Sequence, residues 1–323
     1  MPAVTAADRD YSIDDRGRER ILTVGGRHYR TYYSARVLRL LIERKGAARA
    51  PLYLPFKTTR GHHFLAPLLR YLAGRGARGL RVLEVGCSFG HNTEYLNDQS
   101  LVAEIHSFDV DPAFVEMTRA KVDELQLDKV RQVLRLTDEE TMGLPFPSAA
   151  FDLVVAMGVI EHLAPRGRSR YVDEYYRVLA PAGHIAILDT PNRAFPLETH
   201  SVGLPGIQWL PARLAFDYAR LLRPRFRGVT FEDFDRHGAW RNASLRECRP
   251  SAGAGELVDV TEEAGYGWRF YRETARSRTR RALLPVFALA CAALQAAGRP
   301  PALALPYLNL IFRKGATPRS PGP

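Results

Sequence analysis

The chain has 323 residues, 46% of them apolar, enough for one large domain or a domain with a substantial insertion. Its three cysteines, Cys87, Cys248 and Cys291, are far apart and odd in number, which argues against a disulfide framework or a zinc cluster and for a reducing compartment. The net charge of +11 is segmented, with +10 on residues 1–79, −8 on 80–210 and +9 on 211–323. Two basic arms around an acidic centre suit an anionic substrate or membrane surface, and equally a solvated arginine-rich exterior.

The first twenty residues are charged and lack an apolar core, so they do not read as a secretory signal. Residues 1–26 are expected to be a disordered or loosely docked tail. Residues 27–79 read as a helical cap. Val37, Leu40 and Leu41 recur at helical spacing in Ser34–Lys45, and Phe64, Leu68, Leu69 and Leu72 do so in Gly61–Ala73. The proline-bearing stretch between them predicts an extended connector. Tyr29, Tyr32 and Tyr33 are expected in the core.

Arg81–Tyr95 (RVLEVGCSFGHNTEY) then places a short branched apolar run before Gly86, Gly90 and a helix-compatible segment from His91 to Asn97. Strand, glycine turn and helix start make a cradle in which backbone N–H groups face a ligand. The dinucleotide pattern G-x-G-x-x-G fails, because Ser88 and His91 occupy its second and third glycine positions. Glu104–Asp109 predicts a second strand ending in an acid, 19 residues beyond Gly90. Asp111 before Pro112 predicts the cap of a helix reaching about Leu125. A third strand, Val130–Leu136, is followed by Asp138, Glu139 and Glu140, and Leu144-Pro145-Phe146 precedes a fourth, Phe151–Met157. Glu161-His162 lies just past the end of that strand. A helix, Tyr171–Leu179, leads into Arg177-Val178-Leu179-Ala180-Pro181-Ala182-Gly183 and a fifth strand, His184–Asp189.

Glu84-x-Gly86-x-x-x-Gly90 resembles motif I of the class I S-adenosylmethionine-dependent methyltransferases, with Ser88 at the usual central glycine. The acid spacing to Asp109, the Leu-Pro-Phe loop and the Arg-Val-Leu-x-Pro-x-Gly turn resemble the same family in the same order, over residues 81–192. The resemblance implies an α/β, Rossmann-like doubly wound sheet of seven strands with an antiparallel last strand, an N-terminal helical cap and an insertion after strand five. It divides the chain into a tail (1–26), a cap (27–79), a cofactor-binding core (80–192), a substrate-side insertion (193–255) and the end of the sheet (256–323). It implies S-adenosylmethionine as cofactor, with Glu84, Gly86, Cys87, Ser88, Gly90, Asp109, Val110, Asp138, Glu139 and Met157 around it. Asp109 would take the ribose hydroxyls, and Asp138 or Glu139 the adenine.

Residues 193–255 predict loops and one short helix, Pro211–Leu222. A helix is expected over Glu256–Ala264, strand six over Gly267–Tyr271, and an antiparallel edge strand over Tyr307–Arg313. The uncharged Ala282–Ala297 falls short of a bilayer span and follows Arg272, Arg276, Arg278, Arg280 and Arg281. It predicts a buried helix, or one lying at a membrane interface.

His162, with His200 second, is the candidate base for a hydroxyl acceptor. Glu161, His162, Glu198 and His200 would be the ligands of a metal. They faintly resemble those of metal-dependent methyltransferases of small-RNA ends and of quinone precursors, but Gly158 stands where the former carry a further glutamate, and no metal is assigned. The leading function is O-methylation of a glycan, glycolipid or related cell-envelope intermediate, a small-molecule or lipid-linked acceptor, by a cytoplasmic protein in contact with the membrane's inner face. The alternatives are methylation of an aromatic or quinone precursor, RNA-end modification and a non-catalytic scaffold. No RNA-binding module is recognisable.

Overall fold

The structure, a computed structural model, describes residues 11–17, 19–165, 167–236, 238–251, 257–275 and 277–315. It divides into two compact units, Met1–Asp138 and Glu139–Pro323.

The first unit opens with three antiparallel strands, β1 (Tyr11–Arg16), β2 (Glu19–Val24) and β3 (Arg27–Thr31). Of the expected tail, residues 1–10 and 18 lie outside the described residues, and the rest forms strands with their turns and is not loose. Leu22 of β2 is fully buried with Val37, Leu38 and Leu41 of α1 (Ala35–Lys45) and with Met117 and Ala120 of α4 (Pro112–Leu125). Burying that apolar cluster is what holds so charged a segment in place. Ser34 caps α1 by accepting from Val37 N–H. The expected extended connector is instead a 3₁₀ turn at Ala50–Leu52 and a π-helical turn at Lys57–His62 that runs into α2 (His63–Gly74). Pro51 lies in the first turn of its helix, where its missing N–H costs nothing.

β4 (Leu80–Val85), β5 (Val102–Asp109) and β6 (Val130–Arg135) are parallel, in the order β6-β5-β4. α3 (His91–Asn97) follows β4, and α4 follows β5 with Asp111 as its cap. Tyr33 and Tyr32 both donate to the Glu94 carboxylate on α3, the former at 3.0 Å. Tyr33 is a core residue, as expected, whereas Tyr32 is 45% exposed. The buried Lys121 ammonium lies 3.4 Å from Glu94 and over the rings of Tyr33 and Phe89. Burial pushes Lys121 down to about 8 against the pull of Glu94.

In the second unit β7 (Phe151–Met157) is parallel to β8 (Leu179–Pro191), and β10 (Tyr307–Lys314) runs antiparallel to both β8 and β9 (Leu257–Asp259), in the order β7-β8-β10-β9. With the first unit's three, these make the strands of a seven-stranded sheet. Gly183 lies inside β8. A Cβ there would stand 2.9 Å from Ala180 O and 3.0 Å from Asp152 O, so the Pro-x-Gly turn admits no side chain. α5 (Arg168–Val178) precedes β8. α6 (Ala212–Leu222) and α7 (Phe231–Arg236) share a small core of their own around Phe216, Phe234 and Trp240.

The end of the sheet departs from expectation. Leu257–Asp259 is a strand where a helix was predicted, and its expected first residue, Glu256, lies outside the described residues. Three residues are too few to show alternation, and pairing with Phe312–Lys314 decides their state. Trp268–Tyr271, predicted as strand six, opens α8 (Trp268–Thr274). Its aromatics find partners in helical geometry, Tyr271 against Phe287 at 5.0 Å and Phe270 against Tyr266 at 5.1 Å, and this packing overrides their strand propensity. The antiparallel β10 consequently lies inside the sheet, and β9 takes the edge. α9 (Arg278–Ala296) covers the predicted apolar segment.

The docking of the N-terminal strands is measurable. Leu22→Ala should cost about 2–5 kcal/mol in urea unfolding, the range for a buried leucine truncated to alanine. A cost below about 0.5 kcal/mol, the surface value, would show that these strands do not pack on the cap helices.

Candidate active site

Two constellations stand at the C-terminal ends of strands, where sheets of this type bind ligands. In the first unit, Gly86 and Cys87 donate to Phe108 O at 2.9 and 3.0 Å, which turns the chain sharply after β4. Gly86, Ser88 and Gly90 all have positive φ. At Gly90 the requirement is double, because φ is +77° and a Cβ would meet the Thr118 side chain at 3.1 Å. Thr118 Oγ1 in turn donates to Ser88 O. Ser88 tolerates the usual glycine position by adopting the left-handed conformation, with φ 50°.

Asp109, at the tip of β5, accepts Ser88 N–H on Oδ2 at 2.9 Å and Asp111 N–H on Oδ1 at 3.0 Å. Burial raises its carboxyl above the usual range, against those backbone donors. A carboxylate offers about four acceptor sites, so each oxygen keeps capacity for a further donor. Val110 beside it is 44% exposed, an apolar surface next to an acid. Glu84 is turned into the core, accepting from Thr93 Oγ1 and, at 2.9 Å, from Ser107 Oγ. Its Oε1 is buried without a hydrogen bond. Burial pushes this carboxyl up to about 7. Cys87 is fully buried with Val115 and Val133, and burial pushes its thiol up, so its side chain belongs to the core. Asp138 is exposed in the loop after β6. Thr93 and Ser107 hold Glu84 but carry no sequence signal, since a lone hydroxyl looks the same in any helix or strand.

In the second unit, Glu139 is exposed before the short turn Glu140–Met142, and Met157 is the buried last residue of β7. Past it, the 3₁₀ turn Ile160–His162 presents Glu161 and His162. Glu161 is fully buried, and its Oε1 lies 3.9 Å from Nε2 of both His162 and His200. The two imidazoles stand 5.3 Å apart, 53% and 30% exposed. One ligand atom from each of the three residues falls within 4.8 Å of the others.

Glu198, expected with them, is engaged elsewhere. It accepts backbone N–H groups from His200, Ser201, Val202 and Gly203 at 2.6–2.8 Å, so it shapes the loop that presents His200 and has no face left for a ligand. Arg168, which gave no signal in the sequence, is buried and donates to the carbonyls of Leu163, Glu161 and Asn242. It fixes the Glu161-His162 turn against the insertion.

The parallel strands crossing through α helices and the antiparallel β10 make a Rossmann-like methyltransferase fold, and the first unit carries an acid-tipped glycine cradle. Residues 83–187 match the methyltransferase domain family model. The chain is 28% identical over 111 residues to a demethylmenaquinone methyltransferase of Thermus thermophilus, covering 34% of this chain and 47% of that protein. It is 31% identical over 111 residues to the phthiotriol/phenolphthiotriol dimycocerosates methyltransferase of Mycobacterium leprae, covering 34% and 38%. A demethylmenaquinone methyltransferase of Listeria monocytogenes is 28% identical over 201 residues, covering 61% and 74%. The chain thus spans less than half the length of the first two relatives.

The Glu84 carboxyl predicts a pH effect on the protein alone. Its folded value of about 7 lies above the ordinary 4.5. Its contribution to stability is therefore full below about 4.5 and is lost as pH rises through about 7. Glu84→Gln should abolish that slope, so its melting temperature should gain on wild type between pH 5 and 8. Parallel melting curves across that range would refute a buried, raised carboxyl.

Proposed function

We propose that the chain is a methyltransferase that uses S-adenosylmethionine to methylate a hydroxyl of a lipid-linked or glycan acceptor. The residues of the cradle fit this cofactor. Asp109 has acceptor capacity for the two ribose hydroxyls, Val110 offers an apolar surface to the adenine, the buried Glu84 Oε1 lacks a donor, and Gly90 leaves room for no side chain. Bound there, the cofactor supplies a methyl group already activated by its sulfonium, so the protein's work is to position the acceptor and manage its proton.

The observation that carries the reading is the buried Glu161 carboxylate between two exposed imidazoles. His162 accepts the proton of the acceptor hydroxyl, and Glu161 favours the imidazolium that results. His200, held by the Glu198 loop, orients the acceptor and is the second candidate base. The relative named for dimycocerosates supports a lipid acceptor. A quinone precursor is the second reading, supported by the demethylmenaquinone enzymes.

Asp109→Ala should weaken S-adenosylmethionine binding in calorimetry by about 1–3 kcal/mol, the worth of hydrogen bonds to a charged acceptor. Unchanged affinity, or binding of NAD, would refute the cofactor assignment. Labelled donor offered in parallel to lipid-linked glycans, quinone precursors and RNA identifies the acceptor class, and transfer to RNA alone would overturn the proposal.

With the acceptor so found, His162→Ala should lower turnover by about 10²–10⁴-fold and remove the basic limb of the pH–rate profile, leaving cofactor affinity unchanged. Loss of activity in chelator, restored by a divalent ion, would instead make Glu161, His162 and His200 metal ligands. Wild-type turnover in His162→Ala, with no effect of chelator, would move the base to His200.

A further inference from the structure

α9 differs from an ordinary surface helix. It carries no charged residue from Ala282 to Ala296, yet only one side of it is covered. Phe287 and Cys291 are buried against Leu305, with Phe195, Trp268 and Tyr271 packed around them. The opposite side is apolar and open. Ala282, Val286, Leu289, Ala293 and Ala296 follow one another at i, i+4, i+7, i+11 and i+14, a single stripe, and all are exposed. Val286 is 62% and Leu289 73% exposed, with Leu283 at the flank 43% exposed. A helix in water normally turns charge to that side.

The charges stand at its beginning instead. Arg278, Arg280 and Arg281 are exposed in the first turns, and the first turn holds no acid. Arginine there opposes the helix dipole, and although Arg281 also donates to Ala275 O at 3.1 Å, no acid in the helix answers the three charges. Arg276, of the same sequence cluster, lies outside the described residues. No helix among the described residues is long and apolar enough to cross a membrane.

We infer that α9 docks the protein on an anionic lipid surface, with the Val286–Leu289 stripe in the acyl boundary and Arg278, Arg280 and Arg281 on headgroup phosphates. The occupant follows from complementarity. The stripe requires an apolar medium, and the arginines beside it require a dense anionic one. A bilayer interface supplies both within one helix length, with the helix lying in its plane. A second copy of this chain, packed stripe on stripe, would cover the apolar side but bring no acid to the arginines, since α9 carries none. The inference goes beyond the methyltransferase reading, to which it adds a location for the acceptor.

The test is co-sedimentation of the full chain with vesicles of phosphatidylcholine alone and of phosphatidylcholine with phosphatidylglycerol. Binding should be confined largely to the anionic vesicles and fall as salt rises. Val286→Glu with Leu289→Glu, and separately Arg278→Gln with Arg280→Gln and Arg281→Gln, should each reduce it by about ten-fold or more. All five positions are exposed, and glutamine at 281 keeps an N–H donor for Ala275 O, so melting temperature and S-adenosylmethionine binding should match wild type, which separates failure of docking from failure of the cofactor assignment. The inference is overturned by absence of binding to both vesicles, by equal binding to both, or by variants that sediment like wild type. It is also overturned if the chain dimerises with rising concentration and the glutamate pair abolishes the dimer without changing lipid binding.

Discussion

The guanidinium of Arg168 is the constraint on which the geometry of the Glu161-His162 turn depends. It is buried, and burial pulls its basicity down against the opposing pull of Glu247. Such a charge survives in a core only if its donors are met. Here they are met by Leu163 O, Glu161 O and Asn242 O, and Glu247 lies 3.7 Å away. One side chain thereby ties the turn after β7 to the far end of the insertion. Arg193 adds to the same joint, donating to Arg241 O, Asn242 O and Glu247. The loop that presents Glu161 and His162 is held by backbone carbonyls on a fixed charge, which positions it more rigidly than packing alone.

The first unit uses the opposite sign to the same end. Asp109 binds two backbone N–H groups and so fixes both the cradle after β4 and the entry to α4. Glu94 gathers Tyr32, Tyr33, Lys57 and Lys121, which ties the N-terminal cap to α3. Burial raises its carboxyl, but Lys121, Tyr32 and Lys57 overcome that and hold it below the usual range. Charges inside this protein are thus joints between segments distant in sequence. That explains why so many ionisable groups are buried in a domain whose apolar core is otherwise ordinary.

What the sequence discloses divides along the same line. Strands β4 to β8 and helices α3 and α4 were legible because local pattern and local need coincide. Gly90 must be glycine, Asp111 caps its own helix, and the apolar runs are long enough to show their period. β9 and α8 were misread because their state is decided by partners outside their own segments, β10 and α9, and three residues of strand have no period to read. The strands of residues 11–24 were hidden for a related reason. Their alternation is weak, and among the described residues Leu22 is fully buried while Ile13 and Val24 pack only partly against the core. At the candidate site, residue types were legible and partners were not. His162 and His200 could be named, but that Glu161 lies between them is a fact of tertiary folding.

Glu198 shows how a buried or loop-held charge can be sorted once the fold is known. The sequence offers it beside His200 as a ligand of the same kind as Glu161. A carboxylate has about four acceptor sites, and the four N–H groups of residues 200–203 take them. Its charge is spent on the backbone. Lys121 is likewise spent, on Glu94 and two aromatic faces. Asp109 accepts one backbone N–H on each oxygen and keeps the rest of its capacity at the mouth of a glycine cradle. Glu161 lies 3.9 Å from the Nε2 of each of its two imidazoles. Remaining acceptor capacity, more than burial or a displaced pKa, therefore separates the charges that hold this protein together from those left to act on something else. By that criterion Asp109, proposed above to take the ribose hydroxyls, keeps capacity that Glu198 has spent.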